Sequence, residues 1–186
     1  MRSVYQILTI AAAAALIAGC GQKKQSEDII ATKTEAPKPQ APIRMQPYQQ
    51  ATDIVWQGKN YQVEVKRHPD DSLAMVMDET GQKFIDNRIA LRVIRADGSV
   101  FFQRTFTKAA FERLLDNDYR QTGILEGLVY DKVEGATLYF AASVSHPQTD
   151  EYIPIVVTVS SMGDVDIRLD TQLDTNGGQS NEEEEI

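Results

Sequence analysis

Ile89-Ala90-Leu91-Arg92-Val93-Ile94-Arg95-Ala96-Asp97-Gly98-Ser99-Val100-Phe101-Phe102-Gln103-Arg104-Thr105-Phe106 decides the fold class. Ile89, Leu91 and Val93 alternate with Ala90, Arg92 and Ile94, the period of a strand with one face in a core. Asp97-Gly98 reads as a two-residue turn of the kind that closes a right-twisted hairpin, and the chain returns through Val100 to Phe106. The same period recurs on both sides. Upstream, Tyr61, Val63 and Val65 alternate with Gln62, Glu64 and Lys66. Downstream, Leu138, Phe140, Ala142 and Val144 form one face, as do Ile153, Ile155, Val157 and Val159, and then Val165, Ile167 and Leu169. Gly58, Gly81, Gly135 and Gly163 punctuate the runs. Pro154 cannot donate to a ladder, so its strand is expected to begin there or to lie at an edge.

One stretch leaves this period. Thr107 reads as an N-cap, and Phe111, Leu114 and Leu115 share one face of a short amphipathic helix over 109–115. Phe106 and Phe111 suit a hydrophobic staple, and Asn117 suits a left-handed stop before a strand resumes near Gly123. Strands about ten residues apart with hairpin-length connections imply a mainly β fold. The expectation is an antiparallel meander curled into a barrel-like or half-barrel sheet with one short helix. A two-sheet β-sandwich is the alternative that alternation alone does not separate from it.

The flanks read differently. Arg2, an apolar run with five successive alanines, and Ile17-Ala18-Gly19-Cys20 form a leader (residues 1–19) too short to span a bilayer. Ile17-Ala18-Gly19-Cys20 resembles the lipobox of bacterial lipoproteins. That resemblance implies cleavage before Cys20, recognition through Ile17, Ala18 and Gly19, and acylation of the chain's single cysteine. Lipidation would leave no thiol for a disulfide or a nucleophile. Residues 20–52 form a Pro-rich tether, with Ala36-Pro37-Lys38-Pro39-Gln40-Ala41-Pro42 favouring extended geometry. Residues 53–170 make the β-rich domain. Residues 171–186, ending in Glu182 to Glu185, read as an acidic disordered tail.

The net charge of −8 argues against nucleic acid, whose binding relies on clustered Lys and Arg. The expected location is the bacterial cell envelope, anchored at the outer membrane through lipid on Cys20, with either face possible for the domain.

Pro69-Asp70-Asp71-Ser72, Asp78-Glu79-Thr80-Gly81, Arg95 to Ser99, Phe102 to Phe106, and Ser145-His146-Pro147 through Tyr152-Ile153-Pro154 together carry a family likeness. The chain resembles the uncharacterised Bacteroidetes envelope lipoproteins that share domain of unknown function 4738, over residues 55–170 and the leader. The likeness implies a secreted β-rich domain on a lipid tether and brings no catalytic residues.

Candidate chemistry is sparse. His68-Pro69 is followed by Asp70 and Asp71, and His146-Pro147 by Asp150 and Glu151, so two imidazoles and two carboxylates could in principle hold zinc. The phases oppose it: His68 continues a polar face and His146 an apolar one, so no metal and no other cofactor is expected. Asp164 and Asp166 read as the wet face of a strand, and Asp78, Glu79 and Asp86 as loop acids. Arg88, Arg92, Arg95 and Arg104 suit cross-strand pairing better than a basic strip. Trp56, Tyr61, Phe101, Phe102 and Phe106 suit a core better than a ligand-lined interior. Nucleophile elbows, phosphate-binding loops and metalloprotease motifs are absent. The leading expectation is a non-enzymatic module docking a protein or glycan partner. A lipocalin-like carrier of a small apolar ligand and an envelope-polymer hydrolase are the alternatives.

Overall fold

A computed structural model describes residues 40–171. The leader with Ile17, Ala18, Gly19 and Cys20, most of the tether and the acidic tail lie outside the described residues. Ten strands follow one another: β1 (Tyr48–Trp56), β2 (Lys59–Pro69), β3 (Val76–Met77), β4 (Lys83–Phe84), β5 (Asn87–Arg95), β6 (Val100–Phe106), β7 (Ile124–Glu134), β8 (Thr137–Ser145), β9 (Tyr152–Ser160) and β10 (Val165–Leu169). They make two four-stranded antiparallel sheets, ordered β1-β2-β5-β6 and β10-β9-β8-β7, plus the small ribbon β3-β4. The fold is mainly β and antiparallel with little helix, as the alternation implies, and the described strands close no barrel.

The inward residues of both sheets share one core. Val63, Val65, Ile89, Leu91 and Val93 come from the first sheet, and Leu138, Phe140, Val144, Val157 and Val159 from the second. Each is essentially removed from water, and burying a side chain of this size stabilises by about 1.5–3 kcal/mol. Trp56, Tyr61 and Phe101 pack on one another with ring centroids 5.2–6.0 Å apart. Phe106 stacks on Phe111 at 5.9 Å. Of these aromatics Trp56, Phe106 and Phe111 are buried in the core, while Tyr61 and Phe101 are only partly so.

Local details depart from the sequence pattern in four places. Strand β1 starts at Tyr48, and Ile43 already pairs with Phe84, both within the stretch whose composition reads as tether. The hairpin loop holds three residues rather than two. Arg95 N–H donates to Ser99 O, Gly98 N–H donates to Arg95 O, and Gly98 adopts φ 83°, which only glycine tolerates at little cost.

Pro154 sits inside central strand β9 rather than at its start or at an edge. Its carbonyl accepts from Asp170 N–H, beyond the last β10 pair, Leu169 with Ile155. In an antiparallel ladder a residue's N–H and C=O point the same way, so the missing donor falls where β10 has already run out.

The fourth departure is in the β6–β7 connection. It begins with a 3₁₀ helix, Lys108–Leu114, and Thr107 makes no side-chain cap. Seating Phe111 and Leu115 in the core within a few residues suits the tighter helix. A second helix, α1 (Asn117–Thr122), occupies the place where Asn117 was expected to stop the chain. Asp116 caps α1 by accepting Tyr119 N–H at 2.9 Å. Gly123 then lets the chain turn into β7. A Cβ there would meet Tyr119 O at 2.7 Å and Val144 Cγ1 at 2.9 Å.

Polar side chains of the first sheet, and that of Asp86 just before β5, clip β7 in place. Leu125 N–H donates to Asp86 Oδ1 at 2.8 Å, and Asn87 Nδ2 donates to Leu125 O at 2.9 Å. Arg67 donates to Glu126 O. Asp86 and Asn87 are buried, so each satisfies backbone groups that would otherwise be unpaired away from water. Burial pushes the Asp86 carboxyl above its ordinary range, against the lowering effect of the Leu125 and Asn87 amides. Lys108 donates to Gly123 O at 2.6 Å, and burial holds its ammonium pKa below the usual lysine range.

Candidate functional site

Two adjoining hollows meet at the turn after β8. His146, Pro147 and Thr149 line both. One hollow, about 270 Å³, is walled mainly by Ile43, Met45, Phe84 and Ile124. The other, about 360 Å³, is walled by Asp78, Glu79, Asp118 and Glu151. The acids come from three places: the β3–β4 turn, helix α1, and the residue before β9.

His146 is the hinge between them. Its ring stacks on Tyr119, centroids 4.0 Å apart and 19° from parallel. Nδ1 lies 3.0 Å from Glu151 Oε2. Nε2 lies 3.2 Å from Asp118 Oδ2 but is not aligned to hydrogen-bond it, and it is shut off from water. Burial raises the Tyr119 phenol, helped by the negative charges of Glu151, Asp116 and Asp118. The turn itself is held by His146 N–H to Glu151 O at 3.0 Å and Thr149 Oγ1 to His146 O at 3.1 Å. Gln148 adopts φ 62°, uncommon for a residue with a side chain.

The remaining sequence candidates are placed elsewhere. His68 is exposed on β2 of the first sheet, opposite Arg88 of β5, whereas His146 lies in the turn that follows β8 of the second. Among the described residues no group of three or more His, Cys, Asp or Glu is arranged to hold a metal ion. Asp70 binds Arg88 at 2.5 Å and accepts both the hydroxyl and the amide of Ser72. Those Ser72 bonds, then Arg88, hold its carboxyl down at about 2. Asp71 pairs with Arg44, and Asp78 accepts Thr80 and Gln82 amides within its own turn. Arg92 reaches Glu64, while Arg95 and Arg104 lie over the rings of Phe101 and Phe106, so the four arginines form no free basic strip. Asp164 closes its turn with Ser160, and Asp166 is exposed on β10.

A larger hollow, about 580 Å³, lies near the hairpin tips beside Asp53, Gln62 and Arg95. Three of its polar side chains are already engaged, Gln62 Nε2 with Asp53 Oδ1 at 2.9 Å and Arg95 with Ser99 in its own turn. The cleft at His146 is therefore the better candidate. Sequence reasoning missed Tyr119 and Asp118 because α1 was unforeseen; Asp116-Asn117-Asp118, a cap followed by an acid in the first turn, was the available signal.

Fold and cleft together define a small antiparallel β domain with a surface recess. Residues 27–167 match the family model described as Domain of unknown function (DUF4738), and the chain belongs to that family. No curated protein matches it.

Proposed function

We propose that this DUF4738 chain is an envelope lipoprotein, acylated at Cys20, whose β domain is a non-enzymatic docking module for a protein or glycan partner. The observation that carries the docking reading is the two-part cleft at His146. Its Asp78, Asp118 and Glu151 carboxylates are engaged with Thr80, Thr122 and His146, which suits a rigid recognition surface. Cross-linking in whole cells tests it: a reproducible neighbour lost on His146→Ala supports docking, and the absence of any specific neighbour overturns it. The anchor is tested separately by metabolic labelling with a tagged fatty acid, which Cys20→Ser should abolish.

An envelope-polymer hydrolase is the second reading, favoured by one imidazole set between two carboxylates. Hydrolysis of envelope polymer by the purified chain, lost on His146→Ala, would favour it over docking. Equal hydrolysis by wild type and His146→Ala would dispose of it.

A further inference from the structure

We infer that the cleft at His146 takes a basic side chain, Lys or Arg, of a partner protein, with an apolar neighbour of that residue seated in the adjoining hollow. The inference rests on the docking reading and names its chemistry. Four carboxylates, Asp78, Glu79, Asp118 and Glu151, line the larger hollow, and neither Lys nor Arg is among its lining residues. The one basic group there, His146, already faces two of those acids. Negative charge is therefore in excess in this recess; Asp118 and Glu151 are largely exposed, so the attraction for a cation is that of a concentrated surface field and weakens with salt.

The His146 ring, braced by its stack on Tyr119, lines both hollows and offers a flat surface for the aliphatic stem of such a side chain. Pro147 is buried and shared by the two hollows, so a ligand crossing it passes directly to Ile43, Met45, Phe84 and Ile124. An acid-lined recess alone would suit any cation. The apolar recess one residue away selects a base next to a Leu-like side chain.

Calorimetric titration of the full chain at low salt tests this with end-capped peptides. The panel carries Lys-Leu or Arg-Leu, the same peptides with Glu replacing the base or Ser replacing Leu, and spermidine. The basic-apolar peptides should bind saturably and at least about tenfold more tightly than the others, an electrostatic and apolar discrimination of ordinary size. The double variant Asp118→Asn/Glu151→Gln should lose about tenfold, and Glu79→Gln, on the rim, about threefold. Asp164→Asn, on a distant turn, should lose nothing. No saturable binding, equal binding of the Glu peptides or spermidine, or full affinity in both cleft variants would overturn the inference. If the peptides fail while whole-cell cross-linking still finds a neighbour that depends on His146, this inference falls and docking stands. If cross-linking finds none, docking itself falls.

Discussion

The outer faces of the two sheets are built on the same alternation and secured in different ways. On the first, Glu64 of β2 lies between Arg92 at 3.1 Å and Lys66 at 4.0 Å, Gln62 bonds Asp53, and Arg88 reaches Asp70. On the second, Val129, Ala141 and Val156 stand in one cross-strand row, beside Ser143 and Pro154. The first face is laced by charge. The second is paired only in places, Ser143 with Glu126 and Lys132 with Glu134, and elsewhere has small and β-branched side chains that suit a pleated surface, with Arg168 at the end of the row. A strand's wet face can thus satisfy itself through pairs or through shape, and the inward residues, not the outward ones, set the fold.

The comparison can be broken most severely from inside. Leu91→Ala in the first sheet and Phe140→Ala in the second should each cost about 2–5 kcal/mol, because both sheets feed one core. Denaturant unfolding should show a single transition in both variants; separate transitions would mean the sheets fold independently.

Next comes the clip. Asn87→Ala should cost about 1–3 kcal/mol by leaving Leu125 O without its buried donor, measured the same way.

A smaller, pH-dependent effect separates two acids that flank β3-β4. Asp70 has its carboxyl depressed to about 2, so its stabilising contribution is present above about 4 and is lost as pH falls through about 2. Asp70→Asn should therefore differ from wild type at neutral pH and converge with it near pH 2 in thermal melts. Asp86 has its carboxyl raised, so it works with the opposite sign: its protonation strengthens the fold as acid is added.

The smallest effect belongs to the laced face. Glu64→Gln should cost only about 0.2–1 kcal/mol, and less at high salt, since partly exposed pairs are weak. An equal response of Val129→Thr to salt would erase the distinction between the faces.

Period-two alternation made most of the sheets legible, because each inward residue from Val63 to Val159 reports its burial directly. What stayed hidden depended on contacts between distant residues. Strand β1 carries polar Gln49, Gln50 and Asp53, and its status is fixed by pairing with β2 rather than by its own pattern. Asp86 and Asn87 look like loop polars, yet their burial is imposed by Leu125, thirty-eight and thirty-nine residues away. The cleft followed the same logic: His146 was visible as a residue, but Tyr119 and Asp118 reach it only once α1 exists.

The segment just before β1 has a mechanical consequence. Ile43 is held by two backbone hydrogen bonds, its N–H to Lys83 O and its carbonyl from Ile85 N–H, each 2.9 Å. Arg44 adds a two-pronged grip on Asp71. A pull applied to the chain from its N-terminal side would have to break this clamp before tension reached edge strand β1, which would otherwise peel from β2 one pair at a time. The fold thus meets tension with bonds that share the load at once, and only afterwards with bonds that fail in series.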